Sequence, residues 1–548
     1  MRSMLAYSFR ICFVLAALVA ALPASAQDLA PVSDTYAITG ATIVPAPGQK
    51  IENGTVLVQN GLITGVGKNI SIPADAIIIK ADSMFVYAGF IDGYSHVGVN
   101  PDNSEKKEKV KYPGNPPPGR AGITPQADVR DFINPTDASI AALRAQGFTV
   151  SQIVPHGNML PGQAAVVLLK GEKADQVTIS GNTALYSELS GTPGVYPSTI
   201  MGVMAKWREL YRQAAQTKNY QALYASNPTG LERPETDRTL EAFYPVIDRR
   251  QSVLFKSEKV LEIQHALTLK TDLGLQVILG DLKEGWPIIN KIKNSGAKVL
   301  LSLDLPAEMK KEDNAEKKSD ERKALDKRKA DAIASSTSQA AQFAKAGIVF
   351  GFSANTVKPA DVRPNLMRMI ASGLSEETAL AALTTTPAQM LGLSNRLGTV
   401  ENGKIANLII SDAPYFNKKS KIKYVLVEGT LFSVEDRPKA DTGKKADVKG
   451  SWSYQTETPQ GKGDGKLVIK NENGNYSGTI TNSFSGKETE VKDLVVSGNN
   501  MSFNYTIDVG GNSLKVDVAV TISGDTLEGS MTAGQYGTFP LNGTRDPK

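Results

Sequence analysis

The sequence predicts an α/β fold, a (β/α)8 barrel of TIM type followed by a separate antiparallel β domain. Three observations predict it. Between residues 135 and 352 helical patterns alternate with short apolar runs, the order that a parallel sheet with crossover helices requires. Residues 435–449 are a polar stretch in which Val448 and two alanines are the apolar residues, which marks a linker. Beyond it, 452–544 divides into about eight alternating runs separated by turn signals such as Asn473-Gly474 and Gly510-Gly511-Asn512, the spacing of a β barrel or sandwich. We read a meander barrel in preference to a sandwich.

The composition agrees with globular domains. The chain has 548 residues, 41% hydrophobic and 21% charged, too long for one typical domain. A formal charge of +5 from 61 basic and 56 acidic residues gives no basic field for nucleic acid. One cysteine excludes an internal disulfide framework and a cysteine-based zinc site, and three histidines leave little material for a metal centre. Arg2 and Arg10 precede the apolar run 11–22, and Ala24-Ser25-Ala26 follows as a small-residue cleavage site. The run is shorter than the roughly 18 residues a span needs. Residues 1–26 therefore read as a signal peptide. The expectation is a periplasmic or secreted protein without a membrane span, cleaved near Ala26, cysteine-free and carrying a charge of about +3 once Arg2 and Arg10 are gone.

In chain order, 36–44, 55–58, 62–66 and 77–80 are β-branched runs, with Gly54 and Asn60-Gly61 supplying tight turns. They predict a small antiparallel β-unit. A buried apolar strand over 84–91 ends in Asp92-Gly93-Tyr94-Ser95-His96. Residues 96–123 form a charged, proline-rich surface loop. A helix over 136–146 stops at Gly147, and a strand follows at 148–154. Strands are then expected at 253–256, 275–279, 298–303 and 348–352, with helices through 265–273 and 286–294. The mixed charges of 309–331 predict a solvated helix face. Ser375 with Glu376 and Glu377 signals a helix start over 375–383. β-Pattern returns at 406–411 and 424–427.

Several of these segments resemble the metal-dependent amidohydrolase superfamily. The run from Leu57 to Gly67, followed by Tyr87-Ala88-Gly89-Phe90-Ile91-Asp92-Gly93-Tyr94-Ser95-His96, resembles that family's β-unit leading into its first barrel strand. Thr384-Thr385-Thr386-Pro387-Ala388 and the run from Leu397 to Ile410 resemble the last barrel helix returning to the β-unit. Val154-Pro155-His156-Gly157-Asn158 and neighbouring motifs are similar to the imidazolonepropionase-like branch of exported bacterial members. The resemblance covers roughly residues 34–434. It implies a β composite domain from both flanks, 27–85 and 397–434, around a barrel at 86–396, with the linker at 435–449 and the C-terminal β domain at 450–548.

The resemblance also implies divalent metal held by imidazoles and carboxylates at strand ends, where it activates water. Here this chain departs from the family. Tyr94 stands where the first histidine of the strand-one pair belongs, and His96 is the one family-equivalent ligand that remains. Lys256, Asp281 and Asp304 close strands that bring no histidine, and Ser353 replaces the family's aspartate. The candidate pocket residues are Tyr94, His96, His156, Asn158, Lys256, Ser353 and Asn355, with His96 and Tyr94 the weak candidates for catalysis and Lys256 a conceivable electrostatic substitute for a cation. His265 reads as a packing residue.

The expectation for function is a pseudo-hydrolase: a binding or regulatory subunit with a dismantled metal site and no resident cofactor. Metal-poor modules of this kind resemble the first half of exported proteins in which a histidine-bearing module follows, so a separate metal-bearing amidohydrolase chain is the expected partner. Two alternatives stand beside it. One is an active hydrolase of C–N bonds using a reduced site or a single zinc. The other is ligand binding by the C-terminal β domain, whose aromatic residues Trp452, Tyr454, Phe503 and Tyr505 read as core.

Overall fold

The structure is a computed structural model and describes residues 35–101, 110–171, 173–309, 319–434 and 448–546, the last with short gaps at 459–460, 473–474, 483–486, 498–499, 510–511 and 534–537. Residues 1–26, read from the sequence as a signal peptide, and most of the expected linker lie outside the described residues. The chain divides after Val434 into two compact units.

In the first unit, β1 (Tyr36–Val44), β2 (Ile51–Gln59) and β3 (Leu62–Gly67) form an antiparallel meander, while β4 (Ile77–Lys80) and β5 (Phe85–Ala88) both lie parallel to β1. This corrects the purely antiparallel expectation. Residues 68–76, between β3 and β4, are a connection long enough to carry the chain back across the sheet, whereas a tight turn forces antiparallel pairing. The apolar run 84–91 is likewise two strands, because Gly89 breaks it and β6 (Phe90–Ser95) enters another sheet. A Cβ on Gly89 would lie 2.3 Å from Thr149 Oγ1, so the backbones pass there only with glycine.

The barrel continues through β7 (Phe148–Ile153), which is parallel to β6. The next stretch, β8 (Gly162–Gln163) and β9 (Ala165–Leu168), runs antiparallel to β7 on one side and to the later strand β11 on the other, and β10 (Thr178–Ser180) pairs with β9 at the edge. Then β11 (Ala184–Glu188), β12 (Ser252–Lys256), β13 (Val277–Leu282), β14 (Lys298–Ser302) and β15 (Phe350–Ser353) are parallel in order. The barrel expected from strand–helix alternation therefore has an antiparallel ribbon in one place. Residues 154–161 are too few for a crossover helix, so the strand that follows β7 must turn back on it. β15 returns to β6, where Ala354 N donates to Asp92 Oδ1 at 2.8 Å and Ser353 Oγ donates to Tyr94 O at 2.9 Å.

Helices cover the outside, among them Ile200–Ser226, which the sequence reading did not resolve, and Val260–Leu273, which carries the half-buried His265. Trp207, in the first of these, is fully buried, donates from Nε1 to Ser187 Oγ at 2.9 Å and meets Phe243 edge to face at 5.4 Å. Helix Glu376–Leu383 starts as expected: Ser375 Oγ accepts from Thr378 N at 3.1 Å. Ser375→Ala should lower stability by about 1 kcal/mol, read as a small fall in the urea midpoint of the first unit. Finally β16 (Leu408–Ser411) pairs antiparallel with β5, followed outward by β17 (Ile422–Val427) and β18 (Thr430–Ser433), so chain segments on both sides of the barrel build one sheet.

The second unit is a nine-stranded antiparallel sheet from β19 (Gly450–Thr458) to β27 (Thr538–Arg545). β19 pairs with both β20 (Gly461–Glu472) and β27, so the two chain ends meet inside the sheet. β21 (Asn475–Asn482) approaches β23 (Lys492–Ser497), so the sheet curls toward closure as a barrel-like meander. Trp452, Tyr454, Phe503 and Tyr505 are core residues, none more than 4% exposed.

Candidate functional site

Parallel strands bring their C-terminal ends to one mouth, and residues two apart on a strand share a face. The inner layer below the mouth contains Tyr94, Tyr186, Leu254, Ile278 and Leu300, one from each of five strands, packed with Val154, Ala164 and Ala184. Tyr94 and Tyr186 are both fully buried, so the two phenols occupy the barrel interior just beneath the mouth.

Their hydroxyls belong to a chain whose direction follows from donor counting. Tyr186 Oη donates to Glu188 Oε1 at 2.9 Å. Having spent its proton there, it accepts from Tyr94 Oη at 2.7 Å, and Tyr94 Oη in turn accepts from Asn355 Nδ2 at 3.4 Å. Glu188 Oε2 lies 3.6 Å from Lys256 Nζ, which is also 3.7 Å from Glu258. Lys283 continues the alternation, 3.6 Å from Glu258 and 2.9 Å from Asp304. Burial pushes both tyrosines well above the usual phenol range. Burial also raises the Glu188 carboxyl, against the opposing pull of Lys256. Asp281, at φ +59° near the end of β13, is fully buried and raised for the same first reason, with Thr356 Oγ1 donating to it at 3.3 Å.

The two histidines near the mouth are committed to the backbone. His96 Nδ1 is 3.0 Å from Val154 O and His156 Nε2 is 3.1 Å from Val99 O. A carbonyl only accepts, so each of these nitrogens carries its proton, and His96 keeps its lone pair on Nε2. The rings stack at 4.1 Å and 15°. Burial first, then the neighbouring His156, lowers the His96 pKa to about 4, and Lys256 adds to the fall.

The residues do not fit the divalent metal that the family resemblance implies. Ligand lone pairs lie in the imidazole plane, so two parallel stacked rings do not converge on one ion. Among the described residues no three His, Cys, Asp or Glu side chains gather in a group able to hold one. The two phenols keep their protons and the imidazole is neutral above about pH 4, so His96 Nε2 is a weak base, and the carboxylates Glu188 and Glu258 are tied to Lys256.

Of the residues singled out by sequence, Tyr94, His96, Lys256, Ser353 and Asn355 lie around the mouth. Ser353 is fully buried and ties β15 to β6 rather than facing a ligand. His156 is exposed and stacks on His96. Asn158 lies on the loop after β7 and donates to Thr192 Oγ1 at 2.9 Å. Sequence reasoning missed Tyr186, Glu188, Glu258 and Lys283. The available signal was Ala184-Leu185-Tyr186-Ser187-Glu188, a short run with polar residues at alternate positions following the Gly181-Asn182 turn.

Barrel, flanking sheet and strand-end site together define the class of fold, a TIM-type barrel with a β domain built from both of its flanks, and this fold and part of the sequence have counterparts among known proteins. Residues 257–432 match the model of the amidohydrolase family. It is 34% identical over 120 residues to the amidohydrolase tasK of Hapsidospora irregularis, a match covering 21% of this chain and 12% of that protein. It is 29% identical over 136 residues to a dihydroorotase of Caldanaerobacter subterraneus subsp. tengcongensis, covering 24% of this chain and 31% of that one. The chain thus spans less than a third of the length of either curated relative. An amidohydrolase from Thermotoga maritima MSB8 has the same fold, with a TM-score of 0.59 at 22% identity over 73% of this chain and 100% of that one. Among the described residues no helix is long and apolar enough to cross a membrane.

Proposed function

We propose that this amidohydrolase-fold chain is a pseudo-hydrolase, a binding or regulatory subunit in which a hydrogen-bonded plug has replaced metal-dependent chemistry. The observation that carries the reading is the chain Asn355–Tyr94–Tyr186–Glu188–Lys256, in which three hydrogen bonds and an ion pair join five side chains of the same protein end to end across the mouth. Lys256 supplies positive charge between two carboxylates, the electrostatic service a cation would otherwise perform. The protein is exported after cleavage near Ala26, and its partner is a metal-bearing amidohydrolase on a separate chain.

Elemental analysis of protein expressed in its own host and purified without chelator should find zinc, manganese and iron well below one ion per chain. Stoichiometric metal that disappears in His96→Ala together with hydrolysis of C–N bonds would overturn the reading. Mild affinity purification should recover an amidohydrolase with an intact ligand set, and a solitary monomer would count against the partner.

A further inference from the structure

A second polar site lies at the other ends of the same strands. Gln251 immediately precedes β12 and Asn182 lies just before β11, away from the mouth residues Lys256 and Glu188. Beside them is a cavity of about 290 Å³, lined also by Asp128, Gln163, Arg238 and Glu241, with Ala242 and Pro245 as apolar wall. Its volume is near the lower end of the range for small-molecule sites.

The floor is a chain of side-chain amides whose orientation is forced. Gln163 Nε2 donates to Pro125 O at 2.7 Å, so Gln163 Oε1 faces the other way as an acceptor. Gln251 Nε2 donates to that oxygen at 2.6 Å and to Asn182 O at 2.7 Å. Both neighbours are acceptors, so the Gln251 amide cannot be turned round. Its Oε1 is left without a donor, although Gln251 is only 6% exposed. A buried acceptor in that state bears its desolvation cost with nothing in return. At the rim, Arg238 and Glu241 stand three residues apart on one short helix, and no ion pair is formed between them among the described residues. Asp128 is occupied, bound to Arg130 Nη2 at 2.6 Å.

We infer that this cavity binds a small zwitterion of the α-amino-acid class. A guanidinium presents a fork matched to a carboxylate, and the Glu241 carboxylate, three residues on along the same helix, offers acceptors to an ammonium, which brings three donors. A simple anion would meet Glu241 and Asp128, and a simple cation would meet Arg238. A molecule carrying both charges satisfies the lining. The site lies outside the mouth network, so it stands whether or not the barrel is catalytic.

The test uses the full chain with glycine, L-alanine and L-glutamine as probes, N-acetyl-L-alanine amide as the uncharged analogue and D-glucose as a neutral polyol. Hydrogen exchange by mass spectrometry should show saturable protection of segments 125–130, 180–184 and 238–251 by at least one free amino acid and by neither control. Arg238→Gln, on an exposed side chain, should weaken that protection about tenfold or more in apparent Kd. Glu241→Gln should do the same. No protection by any of the three amino acids, equal protection by a control, or unchanged affinity in Arg238→Gln would overturn the inference.

Discussion

Asp92→Ala should destabilise the first unit by about 3–5 kcal/mol, because it leaves buried neutral donors unsatisfied at about 1–3 kcal/mol each. Asp92 is fully buried where β15 closes on β6, and it serves three donors. Its Oδ1 accepts from Tyr94 N at 3.2 Å and Ala354 N at 2.8 Å, and its Oδ2 accepts from Ser151 Oγ at 2.7 Å. Three strands thus meet at one carboxyl, and alanine would leave all three donors facing an apolar gap. Asp92→Asn separates shape from charge. Its carbonyl can take over the two backbone donors, and its amide can donate to Ser151 Oγ, whose proton then turns to Ser95 Oγ, 3.0 Å away. The asparagine variant should therefore lose only about 1 kcal/mol. Urea unfolding, with hydrogen exchange on segments 90–95 and 350–354 to identify the unit, distinguishes the two. Equal losses would show that the carboxyl's hydrogen bonds do not hold the seam.

Much of this seam was legible in the sequence as a motif, and very little of its chemistry was. The run from Phe90 to His96 pointed to a first barrel strand because an apolar strand ending in polar residues is a local pattern. Gly89 was part of that motif, but its role as the break between two sheets depends on Thr149, sixty residues away. The same holds at the mouth. Tyr94 could be recognised as replacing a histidine, and Lys256 as a lone cation at a strand end. That Tyr94 donates a hydrogen bond to Tyr186, and that Lys256 rests between Glu188 and Glu258, are facts of register between strands, and register is invisible until the barrel closes. The antiparallel ribbon at 162–168 escaped for the converse reason. Its residues are ordinary strand formers, and its direction is decided by the length of the loop before it.

The His96 environment leads to the second large effect, a pH dependence carried by an imidazole that the fold keeps neutral. His96 faces Tyr94, Tyr186, His156 and Lys256, and none of these is an anion in contact with it. Its folded pKa of about 4 lies below the ordinary 6.5, so its contribution to stability is fully present above pH 6.5 and is lost as pH falls through 4. Between those values the unfolded chain takes up a proton that the folded chain refuses, a loss of about 3 kcal/mol at 1.36 kcal/mol per pH unit. The raised carboxyls Asp92, Glu188 and Asp281 act with the opposite sign. Their folded pKa values exceed the unfolded ones, so what they contribute is present in acid and lost as pH rises. The raw stability curve mixes the two, and the difference between wild type and His96→Gln separates them. That difference should shrink by about 3 kcal/mol from pH 7 to pH 4 in urea unfolding of the first unit. Parallel curves would place the His96 proton affinity near that of free imidazole. The ring would then be solvated, and the mouth of the barrel would be open to water.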